Sequence, residues 1–358
     1  MQMSEYSVNQ EALCEYTTAV LEKMGLPREA AVVEAQSLIW ANIRGIDSHG
    51  VQRIELLSYF AKSGEMKTDF KFTTLSERPA TALIDADRAP GAVSATYAMN
   101  MAVEKAKKYG IGWVLVTNTV TPLAIGQYVQ IAVREGMAGI ASTFARPLVA
   151  PYGAKKVGVH NGPISIGVPS KNRKPPLLDM ATSAVAFGKI EVAMDKRIDI
   201  PDGWALDNDG NPTTDPHKAS IMLPFGLYKG SGLAFMFECL SGIMSGDPLV
   251  APWLNDPDND NRHRQNSIMA AIDISAFTDP DVFAERVDEL IDAVKALPKA
   301  DGFDEIYVPG EIEEKIAAER MRDGIPLPPG TVIKLVEAGK DFGVALPEWL
   351  IEAEETRN

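Results

Sequence analysis

Cysteine is scarce. Only Cys14 and Cys239 occur in 358 residues, which excludes a disulfide scaffold. Each sits in an apolar helical pattern and reads as a small buried side chain of a reducing compartment. Positive charge is short as well, with 35 Lys and Arg against 49 Asp and Glu, a net charge of −14. Such a chain repels phosphate backbones and anionic lipid, so nucleic acid and membrane surfaces are excluded as partners. An anionic ligand has to be held by local cations instead. No run approaches the roughly 18 uninterrupted apolar residues of a membrane helix. The start, MQMSEYSVNQEAL, lacks the basic and apolar regions of a secretory signal, so a cytoplasmic protein is expected. Internal repeats, low-complexity tracts and Gly/Ser linkers are missing too. The familiar fingerprints also fail: there is no G-x-G-x-x-G after a strand, no Walker A loop, no G-x-S-x-G elbow and no paired CxxC. The four histidines show no ligand spacing, so no metal site is expected.

What remains is an ordinary globular composition, 46% hydrophobic and 23% charged, long enough for two intimate domains. The first hundred residues are mostly helical. Ser7-x-x-Gln10 spells a capping box for a helix that stops at Gly25, and Pro27 opens a second helix ending at Gly45. A third is predicted from about Ser48. Strand-like TALIDAD, GWVLVT and MAGIASTF then alternate with helices in an α/β manner. Short strands follow at ISIGVPS and PLLDMAT, then a helix from Ser231 to Ser245. Pro248 to Gln265 reads as a polar surface loop, SIMAAIDIS as a strand, and helices close the chain.

Three clusters carry candidate chemistry. In Arg44-Gly45-Ile46-Asp47-Ser48-His49-Gly50-Val51-Gln52-Arg53, Asp47 or Ser48 can cap the third helix, which places His49 and Arg53 on one face. An imidazole titrating near neutrality suits general acid work, and a guanidinium forks onto a carboxylate. Reduction of a 2-oxo acid needs that pair, because hydride arriving at C2 builds alkoxide charge that must be protonated. The same residues also describe a capped helix with a surface histidine. Asp179-Met180-Ala181-Thr182-Ser183, read as a strand end running into a helix, presents hydroxyls and free N–H groups to a phosphate or ribose, or is a plain cap. Lys229-Gly230-Ser231-Gly232-Leu233 offers close backbone approach and a cation at a helix start, or a structural turn.

Five segments together resemble the type-2 malate/L-lactate dehydrogenase family: SHGVQR, DMATSAVAFGKI, IPDGWALDNDGNPTTDP, LPFGLYKGSGLAF and IYVPGEIEEKIAAERMRDGI. They share its order and spacing, and the resemblance runs from about residue 7 to 340. The family includes ureidoglycolate and sulfolactate dehydrogenases, diketogulonate reductase and cyclic-imine carboxylate reductases. The resemblance implies an α/β protein with a non-Rossmann mixed-sheet cofactor domain, residues 120–285, inserted in a mainly helical domain of 1–119 and 286–358. It implies a homodimer and NAD or NADP as cofactor, with a slight lean to NAD. His49 becomes the acid/base, with Ser48 and Arg53 beside the substrate. Asp179, Thr182, Ser183 and Lys229 to Gly232 lie along the cofactor. The implied reaction is hydride transfer on a small, anionic 2-oxo or 2-hydroxy acid. Reduction of a cyclic imino acid, or nucleotide binding without catalysis, are the alternatives. Two stretches depart from the family pattern. Thr121 stands where members carry a second pocket histidine, and Asn161-Gly162-Pro163 replaces a T-N-P run. His160, beside the latter, reads as a solvent-facing loop histidine, or as a compensating pocket residue. Thr121, Arg44 and His160 are the candidate substrate-pocket residues.

Overall fold

The computed structural model describes residues 6–258 and 263–355. Its strands are β1 (Tyr6–Val8), β2 (Thr73–Glu77), β3 (Thr81–Asp85), β4 (Ile111–Thr119), β5 (Ala138–Phe144), β6 (Ile164–Gly167), β7 (Leu177–Met180), β8 (Ala205–Leu206), β9 (Pro212–Thr213), β10 (Ile221–Met222), β11 (Gln265–Ile272) and β12 (Ile325–Leu327). Seven of them form one mixed sheet in the order β2-β3-β4-β11-β5-β6-β7. Every neighbouring pair is antiparallel except β3 with β4. The apolar run of β11 fits its place at the centre, because a strand covered on both faces need not alternate. The sheet therefore begins at Thr73, and β2 to β4 lie ahead of residue 120, where the sequence reading starts the sheet domain.

The helices of both chain ends pack together. Here α1 (Gln10–Lys23), α2 (Arg28–Ile43) and α3 (Ile54–Ser63) share one apolar cluster with residues of the C-terminal helices, among them Leu13, Leu21, Leu38, Leu57, Leu335 and Leu350. Antiparallel pairing of β1 with β12 ties the two ends. Next, α4 (Gly91–Tyr109) and α5 (Gly126–Arg134) cover one sheet face. The α4 face is built from Ala92, Ala95, Ala98, Ala102 and Ala106, all buried, whose small side chains let the helix lie close on the strands. Glu34 of α2 accepts a hydrogen bond from Ala92 N at 3.1 Å and so caps α4 from outside. Burial pushes its carboxyl up to about 8. After α6 (Phe187–Lys196), α7 (Tyr228–Glu238) supplies Phe237 to a cluster with Leu115, Phe144 and Ile268. The remaining helices are α8 (Val250–Asn255), α9 (Pro280–Lys295), α10 (Glu311–Asp323), α11 (Pro329–Phe342) and α12 (Glu348–Glu355).

Several boundaries move. Asn9 caps α1, accepting from Glu11 N and Ala12 N, while Ser7 is spent in β1. A continuous third helix from Ser48 does not form. Two 3-10 turns, Asp47–His49 and Val51–Arg53, precede α3, and no side chain caps them. Helix α7 starts at Tyr228, three residues before Ser231, and continues through a π turn at Cys239–Ile243. The expected polar loop contains α8, and its residues 259–262 lie outside the described residues. β2, exposed throughout as an edge strand, has no sequence signal. Among the described residues no helix is long and apolar enough to cross a membrane.

Candidate active site

The first cluster is shaped by how α2 ends. Gly45 takes a left-handed conformation and turns the chain into Asp47–His49. Gly50 then passes against the Asn42 side chain, where an added Cβ would lie 2.2 Å from its Oδ1. That contact frees Asn42 Oδ1 to accept from Val51 N at 2.8 Å and fixes the turn. The outcome is a short loop that presents Ser48 and His49 to a cavity of about 510 Å³. This size lies within the range of small-molecule sites.

Four segments wall most of the cavity, and Leu123 to Ile125, Pro163 and Ala186 complete its lining. Trp40 and Arg44 come from the end of α2, Ser48 and His49 from the turn, and Asp179 to Ala181 from β7 and just beyond. Tyr307 to Gly310 and Glu313 and Glu314, at the start of α10, close the fourth side. Arg44 stacks over the Trp40 ring at 4.4 Å and pairs with Glu314 at 2.9 Å. The Ser48 hydroxyl lies 3.0 Å from His49 Nδ1, and Nε2 has no hydrogen bond among the described residues. Arg53 does not line the cavity. Its Nε donates to the Ser48 carbonyl at 2.5 Å, so it braces the turn from behind, and Glu191 of α6 offsets part of the burial of its charge. Burial first, and the Arg53 charge second, hold the His49 imidazole down at about 4. At neutral pH His49 is an uncharged ring, ready to take a proton. Asp179 is enclosed by packed elements yet open to the cavity. Its carboxylate accepts from Gly126 N at 2.8 Å at the start of α5. Burial, with Glu313 adding to it, pushes Asp179 up to about 7.

The second cluster divides: Asp179 to Ala181 line the cavity, whereas Thr182 and Ser183 turn away from it and meet the third cluster. Thr182 O accepts from Phe225 N at 3.0 Å, and a Cβ on Gly230 would sit 2.7 Å from that same Thr182 oxygen. Only glycine allows α7 to start so close to the irregular segment that follows β7. The expected free donors at Thr182 and Ser183 are not free. Both residues are buried, Ser183 N donates to Asn161 Oδ1 at 3.0 Å, and the Ser183 hydroxyl donates to Val185 O at 2.7 Å. Nor do they open a helix, because α6 begins at Phe187. Ser231 Oγ accepts from Tyr152 N at 3.1 Å, Gly232 faces open space, and Lys229 is exposed without an ion pair among the described residues.

Of the substrate-pocket candidates, only Arg44 reaches the cavity. Thr121 stops two residues short of the wall at Leu123. His160 is not solvent-facing: it has no exposure, contacts Ala145 O through Nδ1 at 2.8 Å, and places Nε2 at 3.3 Å from Glu238 Oε2. It sits in the interior because the stretch before β6 folds under α7. Burial holds its imidazole down at about 4, whereas an unfolded imidazole titrates near 6.5. Between those values the unfolded chain binds the extra proton, so stability falls as pH drops from about 6.5 towards 4. Glu34 and Asp179, whose carboxyls are raised, oppose this trend, and His49 adds to it. In thermal unfolding His160→Gln should therefore lose less stability than the wild-type chain as pH falls over this window.

Sequence reasoning missed Trp40, the loop 307–310 and the acidic first turn of α10. The segment IYVPGEIEE was visible, but nothing local marks it as a cavity wall 260 residues from His49. A cavity at the edge of an α/β sheet, with a neutral imidazole beside a hydroxyl on its wall, defines the class of an enzyme site able to take up and return a proton. Comparison with known proteins narrows the class. The malate/L-lactate dehydrogenase family model matches residues 8–336, and the chain belongs to that family. Membership makes it a dehydrogenase. It is 36% identical over 349 residues to the malate dehydrogenase of Pyrococcus horikoshii, covering 94% of this chain and 96% of the relative. It is 30% identical over 321 residues to the ureidoglycolate dehydrogenase (NAD(+)) of Escherichia coli K12, covering 89% and 92%. The malate dehydrogenase structure from Entamoeba histolytica superposes with a TM-score of 0.91 at 28% identity, covering 96% of this chain and 100% of the other.

Proposed function

We propose that the chain transfers a hydride between a nicotinamide dinucleotide and C2 of a small 2-hydroxy or 2-oxo acid. The observation that carries this reading is His49. Its uncharged ring is bound to Ser48 on the wall of the main cavity, facing a site shared with Asp179 and the start of α10. In the oxidative direction Nε2 accepts the hydroxyl proton as the hydride leaves. In the reductive direction the imidazolium returns it to the alkoxide. Ser48 holds the ring through Nδ1, and Arg53 holds Ser48 in turn while bringing positive charge towards an anionic substrate. Arg44 is the cation that lines the cavity itself.

The fit to a nicotinamide cofactor rests on two features. Gly232 leaves open space beside the start of α7, and Lys229, exposed and without an ion pair among the described residues, stands in the first turn of that helix, where a diphosphate is favoured. When bound, the cofactor supplies or receives the hydride. The name of the ureidoglycolate relative, which specifies NAD(+), supports NAD over NADP. Lys229→Met should weaken cofactor binding by about 1.5–3 kcal/mol, the range for hydrogen bonds to charged groups. Fluorescence titration of NADH reads this directly, and an unchanged affinity would move Lys229 out of the site.

The sheet is not an all-parallel dinucleotide fold, which supports a non-Rossmann cofactor region carried by helices from both chain ends. A homodimer is the assembly we infer. Tyr228, Phe235, Met236, Ile243 and Met244 are each more than half exposed on α7 and its π turn, a patch suited to a second copy. Light scattering after size exclusion tests it, and a monomer at all concentrations removes it. The reaction is tested by a panel of 2-oxo acids and a pyrroline carboxylate with NADH and NADPH. Turnover restricted to the imine would transfer the assignment to C=N reduction, and cofactor binding without turnover would leave a nucleotide-binding protein.

A further inference from the structure

We propose that Arg320 and Asp47 form a positioning pair that sets both the place and the electrostatic surroundings of the Ser48–His49 turn. The proposal rests on the catalytic reading of His49. Arg320 of α10 grips Asp47 with a two-pronged contact, Nη1 to Oδ1 at 2.7 Å and Nη2 to Oδ2 at 3.0 Å. The same guanidinium donates to the Asn42 carbonyl at the end of α2. Asn42 Nδ2 donates to Asp47 Oδ1 at 2.7 Å, and Gln52 Nε2 donates to the Asp47 carbonyl at 2.6 Å. Asp47 is thus not a helix cap but the hub of a polar cage immediately before Ser48. A fork of this kind fixes orientation as well as distance, which a lysine cannot do.

The pair also balances charge. His49 already feels Arg53 from its own segment, and Glu191 of α6 faces that arginine. Arg44 of α2 with Glu314 of α10, Glu313 of α10 and Asp179 of β7 stand around the cavity. Asp47 is two residues from His49, and among the described residues only Arg320 pairs with its charge. Without that partner an unbalanced carboxylate two residues from His49 would favour the protonated imidazole. Helix α10 therefore acts at both ends: its first turn walls the cavity, and its last turn holds the proton-transfer group in place from about 270 residues away in sequence.

Four histidines make the test tractable, because each is separable by NMR in protein labelled with nitrogen-15 at histidine. In Arg320→Met the His49 titration should move to higher pH, and kcat should fall by about 10- to 100-fold, as for a misplaced catalytic group. Cofactor affinity should hold. Arg320→Lys keeps the charge and loses the fork, so the titration should stay near wild type while kcat still falls. Asp47→Asn should not raise the titration, and the Asp47→Asn/Arg320→Met pair should bring it back down from the Arg320→Met value. A folded Arg320→Met with wild-type titration and wild-type kcat overturns the proposal, as does a loss confined to thermal stability. If Arg320→Met does not fold, Arg320→Lys and Asp47→Asn decide the matter, and unchanged kcat in both overturns it. Should His49→Ala keep full turnover while Arg320→Met still shifts the titration, the charge pairing stands and the catalytic reading of His49 falls.

Discussion

Replacing His49 with alanine lowers kcat by about 10²–10⁴, the usual worth of a positioned acid or base, and leaves cofactor affinity near wild type. The expectation follows from geometry before titration. The ring lies on the cavity wall, one nitrogen is held by Ser48, and the other has no protein partner among the described residues. With its proton affinity held down at about 4, His49 is a base at neutral pH. Oxidation of a 2-hydroxy acid should then be flat around neutrality and lose rate only as pH falls towards 4. Reduction needs the imidazolium and should quicken as pH falls. Steady-state kinetics in both directions, with NADH fluorescence for affinity, check all of this together. An alanine variant with near-wild-type turnover would reduce His49 to a turn residue.

Arg53→Met should lower kcat/KM by about 10- to 100-fold, since a hydrogen bond to a charged group contributes about 1.5–3 kcal/mol. Two effects add. The Ser48 carbonyl loses its 2.5 Å brace, which loosens the hydroxyl that orients His49. The imidazole also loses the nearby cation that disfavours its protonation, so the acid limb of the oxidation profile should move to higher pH. Arg53→Lys keeps charge but not the planar fork and should fall between. The outcome that inverts the assignment is loss of cofactor affinity in both variants with KM for the acid unchanged. Arg53 would then be a phosphate ligand.

Much of the architecture is local and so was legible. The strand-like stretches TALIDAD and GWVLVT match β3 and β4, the helix read between them matches α4, and Gly25 and Gly45 stop helices where a left-handed residue is required. The neighbourhood of Ser48 and His49 was equally readable, because a polar cluster at a helix break stands out from its flanks. Even there, two 3-10 turns replace the expected continuous helix. Arg53 comes near His49 because its side chain folds back onto Ser48 O, not because the two share one helical face.

Other features depend on partners far away in sequence. Ser7 spells a cap as well as Asn9 does, but pairing of β1 with β12 claims it for a strand. His160 looks like a loop histidine until α7 closes over it and sets Glu238 at 3.3 Å. Thr182 and Ser183 look like ligand donors until Asn161 and the approach of Gly230 use up that space. Composition and periodicity by themselves determined the α/β class, the helix stops and the residues around His49, because backbone propensity and short-range hydrogen bonds act within a few residues. Only the tertiary structure decided that β11 enters between β4 and β5, that α10 walls the cavity and grips Asp47, and which polar groups are buried. Those outcomes follow from burying apolar surface and satisfying every interior donor across the whole chain at once, a condition no local window contains.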